Sequence, residues 1–211
     1  MLWRLAARRR VDSVDAAFVA GSLRAALLEA LPANASGGMA RPDEIGGQVA
    51  VLAVPHGDTL ESVGLALPRG LRPDERSQLA AAVKRVKGDT FAGSLALGER
   101  VSCERLLGPA TSWLTVTPYI GEGNASGMSG RRKRARRSLR YALFPGYDRR
   151  SPATGSPSWW RRSRLSDARD WPADDPLPEH LQIRFRRPVR GPLLIGRERH
   201  AGLGLMVPSG R

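Results

Sequence analysis

The stretch from residue 121 to residue 178 contains no valine and no isoleucine, and glycine, proline, serine and arginine dominate it. Buried strands are built mainly from β-branched and aromatic residues, so no buried sheet is expected in this stretch. The 211-residue chain is therefore predicted to consist of an α+β body over 1–120, a basic insertion or linker over 121–178, and closing strands over 179–211 that complete the fold. A chain of this length can bury a substantial core.

The body alternates helical and strand patterns. Apolar residues recur every four positions over 13–31, and Pro73 with two acidic residues begins a second helical pattern over 73–86. Short apolar runs predict strands at 50–55, 62–68, 90–98 and 112–120. The order helix, strand, strand, helix, strand predicts an α+β fold of the ferredoxin-like or RRM-like type, with helices on one face of a sheet.

The closing segment carries the clearest strand pattern of the chain. Leu181, Ile183 and Phe185 alternate with polar residues, which is the period of two expected for a strand with one buried face. The opposite face would present a row of polar groups, which are His180, Gln182, Arg184 and Arg186. Two short strands are predicted to follow this one, at 191–196 and 202–208, around a turn at 197–201.

Charge is distributed unevenly along the chain. The whole sequence carries 34 Lys and Arg against 20 Asp and Glu, a net charge of +14 with a pI near 11.4. Residues 1–120 hold 14 basic and 12 acidic side chains, whereas 121–211 hold 20 and 8, which leaves net charges of +2 and +12. A nearly neutral body with a strongly basic end predicts that the C-terminal part binds a polyanion through its phosphates.

Two parts of the basic region are candidates for nucleic-acid binding. Seven basic residues fall within the ten positions 131–140, which predicts a helix or arm that follows phosphates; the alternative is a solvated, disordered linker.

Aromatic residues interleaved with arginine are suited to stacking on unpaired bases. The alternative for such tryptophans is that they cover the core or a partner subunit. The residues in question are Trp159, Trp160 and Trp171, among Arg161, Arg162, Arg164 and Arg169.

Several classes of function are excluded by what the sequence lacks. One cysteine, Cys103, and three separated histidines give no disulfide framework and no thiolate metal site. The carboxylate pair Asp174 and Asp175 offers too few ligands for two-metal nuclease chemistry, and no phosphate-binding glycine loop is present, so we expect no metal and no cofactor. The longest apolar stretches are far shorter than the ~20 residues of a spanning helix. The N-terminus has no signal-peptide pattern, so a soluble cytoplasmic protein without membrane contact is expected.

Histidines are the candidate proton-transfer groups. His200 lies between Arg199 and the glycines Gly202 and Gly204, and nearby positive charge favours the neutral form that a general base requires. The glycines lack side chains, which is typical of positions where a backbone or a ligand approaches closely. His56 directly follows a predicted strand, where active-site loops often lie. A structural role is the alternative for each histidine.

A family resemblance is carried by three segments: RFRRPVRGPLLIGRERHAGLGLMVP, SWLTVTPYI and GLALPRGLRPDER. In these segments the sequence resembles the CRISPR-associated RAMP proteins, in particular the fused backbone and repeat-processing subunit of subtype I-G (formerly I-U) effector complexes. The resemblance covers residues 15–120 and 179–208. It implies tandem or partial ferredoxin-like modules and a glycine-rich loop in contact with RNA.

The activity implied by the resemblance is cleavage of CRISPR repeat RNA without a metal. In such a reaction a 2′-hydroxyl attacks the adjacent phosphate and leaves 5′-hydroxyl and 2′,3′-cyclic phosphate ends. Relatives usually carry an additional N-terminal module, so the chain is expected to correspond to the processing half. They also carry histidines around the first strand, of which His56 is present here. The other candidate bases are then His180 and His200, with Tyr119 as a proton donor.

The partners implied by the resemblance are CRISPR repeat RNA, the other subunits of a type I effector complex, and target DNA reached through that complex. Two alternatives stand beside this interpretation: a non-catalytic RNA-binding subunit of the complex, and a general basic protein associated with RNA or the ribosome. The residues predicted to bind RNA are Arg131, Arg132, Lys133, Arg134, Arg136, Arg137, Arg140, Arg161, Arg162, Arg184, Arg186, Arg197, Arg199, Gly202 and Gly204.

Overall fold

The structure is a computed structural model, and the chain divides into two compact units. The first unit comprises Met1–Cys103 with His200–Gly202, and the second comprises Glu104–Arg199 with Leu203–Arg211. Within the described ranges, no helix is long and apolar enough to cross a lipid bilayer. The residues that the structure describes are 1–7, 9–32, 49–67, 71–92, 94–121, 133–135, 138–139, 156–162, 179–197 and 199–209.

The first unit contains a five-stranded antiparallel sheet with the strand order β2-β3-β1-β5-β4. Its elements in chain order are β1 (Leu2–Ala7), α1 (Ala16–Ala30), β2 (Ala50–His56), β3 (Thr59–Ala66), α2 (Pro73–Gly88), β4 (Thr90–Phe91) and β5 (Leu95–Arg100). Helix α1 joins β1 to β2, which have β3 between them in the sheet, and α2 leads from β3 through β4 to β5, with β1 between β3 and β5. With β4 as a short addition, this is the ferredoxin-like arrangement.

Both helices of the first unit follow from local sequence. The stripe that α1 buries consists of Ala16, Val19, Ala20, Leu23 and Leu27, and the helix packs against β2 and α2. In α2, Pro73 occupies the first turn, and the backbone N–H of Arg72 donates to Glu75 Oε2 at 2.9 Å. The side-chain hydrogen bond to Glu75 also raises the pKa of Arg72 above its usual value. The helices predicted over 13–31 and 73–86 are confirmed.

The second unit contains another five-stranded antiparallel sheet, with the strand order β7-β8-β6-β10-β9. Its elements in chain order are α3 (Glu104–Leu107), β6 (Ala110–Thr115), β7 (Ser156–Arg162), β8 (Glu179–Val189), β9 (Leu193–Leu194) and β10 (Leu205–Pro208). Helical residues at 133–135 and 138–139 lie in the chain between β6 and β7.

The two sheets share one strand order. Adding five to each strand number of the first sheet gives the order of the second. The helical residues 133–135 and 138–139 take the place in the chain that α1 has in the first unit. In place of α2, the second unit has the short link 190–192 between β8 and β9. This correspondence is one of topology.

Each unit has its own apolar core. The core of the first unit includes Trp3, Leu23, Val63 and Phe91. In the second unit Trp113 lies fully buried among apolar residues of β8, β9 and β10. Leu139 joins this second core from the helical residues between β6 and β7.

The strands differ from the predictions in three places. The single strand predicted at 90–98 is two strands, β4 and β5, because the chain reverses at Ala92, whose φ is 49°. The N-terminal strand β1 was not predicted. The stretch 121–178, for which no buried sheet was expected, contributes the strand β7. Among the described residues β7 pairs with β8 alone, and such an edge strand needs neither β-branched residues nor a donor at Pro157.

Candidate functional site

Strand β8 separates apolar from polar side chains with the predicted period of two. Leu181, Ile183 and Phe185 are buried in the core of the second unit. The residues that alternate with them are called the β8 row here: His180 and Gln182 are half-buried, and Arg184 and Arg186 are exposed. The prediction for this strand is confirmed, and it places two guanidinium groups, an amide and an imidazole in sequence along one strand.

The charge of β8 is almost entirely positive. Its carboxylate is Glu179, at the first residue of the strand. Arg187 near the end of the strand and Arg190 just beyond it are also exposed. These two arginines were not among the predicted RNA-binding residues. The signal was present, because both belong to the same run of arginines. In the sheet, Arg161 of β7 stands opposite His180.

The imidazole of His180 is held by Thr115 at the end of β6. Its Nδ1 lies 3.1 Å from the carbonyl oxygen of Thr115, and 3.3 Å from the Thr115 hydroxyl. A carbonyl oxygen only accepts, so the hydrogen bond requires the hydrogen on Nδ1. The neutral ring then carries its lone pair on Nε2. Thr115 itself is fully buried, and its hydroxyl accepts from the backbone N–H of Leu181 at 2.9 Å.

Gln182 belongs to a hydrogen-bonded cluster that spans three strands. Its Nε2 lies 2.8 Å from the hydroxyl of Ser112 on β6 and 3.1 Å from the hydroxyl of Ser209, just after β10. The two hydroxyls are 2.8 Å apart. Sequence patterns did not identify the serines, because residues 70 and 27 positions away from Gln182 meet it only through strand pairing.

The three histidines occupy different positions. His180 belongs to the second unit, whereas His56 and His200 belong to the first. His56 is exposed at the end of β2, and His200 is half-buried in a 3-10 turn at Arg199–Ala201. The ring of His180 is oriented by the backbone carbonyl of Thr115.

Tyr119 lies in the core of the second unit. Its ring is 2 % exposed, and its hydroxyl is 2.9 Å from that of Ser138, which is also buried. A buried phenol bound in this way is suited to packing, and we do not assign proton donation to it.

Replacing Tyr119 with phenylalanine is expected to lower the free energy of unfolding by about 1 kcal/mol, because the buried hydroxyl of Ser138 loses its partner. Urea denaturation measures the change. In the double variant with Ser138→Ala, the total loss of unfolding free energy should be smaller than the sum of the losses in the two single variants. A denaturation midpoint that Tyr119→Phe leaves unchanged would contradict this account of the hydroxyl pair.

The two glycines of the predicted RNA loop are explained by contacts within the protein. Gly202 has a φ of +83°, and a Cβ there would lie 2.6 Å from Cβ of Ala20, within the first unit. Gly204 has a φ of +65°, and a Cβ there would overlap the carbonyl oxygen of Ile195, within the second unit. Both conformations favour glycine, and the close approach comes from protein atoms.

The described residues of the basic run, 133–135 and 138–139, are packed on one side. Ala135, Ser138 and Leu139 are buried, with the spacing of one helix face. Lys133 is exposed, and Arg134 packs across Gly121, where a Cβ would lie 2.8 Å from its Nε. The described part of this run is thus anchored to the second unit rather than extended as an arm.

Other predicted RNA-binding residues fall in several places. Arg197 is exposed, and Arg199 is half-buried and donates to the carbonyl oxygen of Gly196 at 2.9 Å. Arg161 and Arg162 are backbone positions of β7. Outside the described residues lie Arg131, Arg132, Arg136, Arg137, Arg140, Arg164, Arg169 and Trp171.

Within the described ranges, no three His, Cys, Asp or Glu side chains are grouped so that they could hold a metal ion.

Comparisons with known proteins find likeness in structure alone. No protein-family model matches the sequence, and no curated protein sequence matches it either. A solved structure described as "CRISPR associated protein Cas6" aligns over 99% of this chain and 98% of its own, with a TM-score of 0.50 and 8% identity. Another, described as "An RAMP protein binding different RNA substrates", aligns over 99% and 98%, with a TM-score of 0.50 and 11% identity. The predicted α+β fold with ferredoxin-like units is confirmed, and it is similar to the fold of these two solved structures.

Proposed function

We propose that this chain binds CRISPR repeat RNA along the β8 row and cleaves it without a metal ion. The observation that carries the proposal is the row itself, in which an oriented imidazole, an amide and two exposed guanidinium groups follow one another on a single strand. The likeness in fold to a protein named Cas6 and to an RAMP protein described as binding RNA substrates supports it.

The guanidinium groups of Arg184 and Arg186 bind the phosphates of the RNA. Residues two apart on a strand are separated by roughly 6.8 Å and point to the same side. This separation is comparable to that between successive phosphates of an extended RNA strand. A guanidinium binds a phosphate through two parallel hydrogen bonds, so two neighbouring phosphates can be held at once.

His180 supplies the general base. With Nδ1 donating to the Thr115 carbonyl, Nε2 is the ring atom that takes a proton from a ribose 2′-hydroxyl. The resulting 2′-oxygen attacks the adjacent phosphorus, and the bond from phosphorus to the 5′-oxygen breaks. The products are a 2′,3′-cyclic phosphate and, once the 5′-oxygen is protonated, a 5′-hydroxyl. Arg184 next to the reacting phosphate stabilises the extra negative charge of the transition state.

The leaving 5′-oxygen needs a proton donor. Solvent water can supply this proton as the bond to phosphorus breaks.

Phosphate binding by Arg184 and Arg186 is tested by the salt dependence of RNA binding. Each phosphate contact to a single strand contributes about −0.7 to the slope of log affinity against log salt. The variant Arg184→Gln with Arg186→Gln should therefore flatten the slope by about 1.4. Lys84→Gln with Lys87→Gln, on the exposed side of α2, removes the same charge and should leave the slope unchanged. Equal slopes in the two variants would show that only net charge attracts RNA.

The enzymatic part is tested with the unmodified protein and repeat RNA in EDTA. We expect cleavage at one position, with a 2′,3′-cyclic phosphate on the upstream product. Intact RNA that stays bound would instead establish a non-catalytic RNA-binding subunit. Equal affinity for repeat and scrambled RNA at rising salt would identify a general basic RNA-binding protein.

The cleaved RNA stays bound after the reaction in this proposal, since the phosphate contacts are not consumed by the chemistry. The protein then acts within a type I effector complex, with its other subunits as partners and target DNA as a partner of the whole complex. Subtype I-G is the proposed setting. Co-purification of the chain with RNA and with the products of neighbouring genes tests this assembly.

A further inference from the structure

The contacts among Gln182, Ser112 and Ser209 fix the orientation of the glutamine amide. Three close contacts join the three side chains, at 2.8, 3.1 and 2.8 Å, and each needs one hydrogen. With Nε2 facing the serines, the amide supplies two hydrogens and one serine hydroxyl supplies the third. With the amide reversed, its oxygen would supply none, and two hydroxyl hydrogens would have to serve three contacts. The closed triangle therefore requires Nε2 toward the serines.

A fixed amide offers its oxygen alone to a ligand. Both hydrogens of Nε2 are engaged by Ser112 and Ser209, so Oε1 is presented as an acceptor on the other side of the amide. A glutamine without such partners can turn its amide and offer a donor or an acceptor with equal ease. In this cluster, turning the amide would break both bonds to the serines, which is costly for half-buried groups.

We propose that Gln182 is a specificity-determining residue that selects, at one position of the bound RNA, a base carrying an exocyclic amine. Uracil has no amine and presents carbonyl oxygens on either side of its single N–H, so the fixed acceptor disfavours it. Cytosine has the same ring with an amine at C4, and the acceptor of Gln182 receives its hydrogen. This inference rests on the proposed function, because it needs RNA on the β8 row.

The position of Gln182 places the selected base beside the reacting bond. Gln182 lies between His180, which takes the 2′-hydroxyl proton, and Arg184, which holds a phosphate. One nucleotide spans a similar distance along a strand, so the base read by Gln182 belongs to a nucleotide next to the cleaved phosphodiester. Cleavage should therefore occur beside a cytosine or another base with an amine rather than beside uracil.

Oligocytidylate and oligouridylate of equal length are the matched probes, because their bases share one ring size and differ at C4, which carries an amine in cytosine and a carbonyl oxygen in uracil, and in the hydrogen on N3 of uracil. The unmodified protein should bind oligocytidylate about tenfold more tightly. Gln182→Met, which keeps the volume and removes the acceptor, should abolish this ratio. Ser112→Ala with Ser209→Ala should lower it as well, because the released amide can turn. Arg184→Gln should weaken both probes equally and leave the ratio intact.

The outcomes separate the two proposals. Binding of both probes with equal affinity, or a ratio that survives in Gln182→Met, overturns the inference about Gln182 and leaves RNA binding standing. Failure of the unmodified protein to bind either probe overturns the proposed function together with this inference. Should Gln182→Met fail to fold, Ser209→Ala alone reports on the same ratio, and an unchanged ratio there counts against the fixed amide.

Discussion

Replacing His180 with alanine is expected to slow cleavage of repeat RNA by roughly 10²–10⁴-fold, the range typical for loss of a general base. The imidazole is the group on the β8 row that can take a proton, and the Thr115 carbonyl holds it with Nε2 as the basic atom. Phosphate contacts by Arg184 and Arg186 are untouched, so RNA affinity should change little. Single-turnover cleavage with excess protein measures the rate constant separately from binding.

The matched comparison for His180→Ala is the same substitution at each other histidine. Slow cleavage by His180→Ala, beside an unchanged rate in His56→Ala and in His200→Ala, would assign the proton transfer to His180. Cleavage by His180→Ala at the unmodified rate would remove His180 from the mechanism. An affinity that falls in parallel with the rate would instead assign His180 to RNA binding.

The second large effect concerns stability. Trp113→Ala is expected to lower the free energy of unfolding by about 3–5 kcal/mol, a large share of the total for a domain of ordinary stability. The indole is fully buried, and its Nε1 donates to the carbonyl oxygen of Ala110 at 2.9 Å. A Cβ on Gly108 or Gly191 would lie 3.0 or 2.7 Å from its ring atoms, so the two glycines make room for the indole.

Urea denaturation followed by circular dichroism measures this effect. Phe18→Ala is the surface control, because Phe18 is 64% exposed on α1 and its loss leaves no cavity. Trp113→Phe should fall between the two, since part of the ring volume is kept. A midpoint for Trp113→Ala equal to that of Phe18→Ala would mean that the indole does not organise the second core.

Strong local patterns made part of the fold predictable. Helix α2 was evident from Pro73 and its acidic first turn, and strand β8 from the alternation of Leu181, Ile183 and Phe185. Strand β7 was missed because its sequence lacks the residues that mark a buried strand, while its pairing to β8 is made by backbone groups. The shared strand order was invisible for a similar reason: it is a property of pairing between distant segments.

Some residues of the candidate site could likewise be predicted from the sequence, and others could not. His180, Arg184 and Arg186 could be assigned from one strand pattern, since they lie within a few residues of one another. Thr115 and the two serines could not, because they reach β8 through tertiary pairing. Gly202 and Gly204 were correctly noted as points of close approach, but a sequence does not say whether the approaching atoms belong to a ligand or to the protein.

The position of β10 between β6 and β9 has a consequence for translation. A ribosome releases β6 some ninety residues before β10, and among the described strands β9 pairs with β10 alone. Until β10 emerges, one edge of β6 stays bare, and exposed edges invite pairing with other nascent chains. Because β6 and β10 are so distant in sequence, their pairing is also expected to form slowly during folding. Production of this protein in a heterologous host should therefore benefit from slower synthesis or from added chaperones.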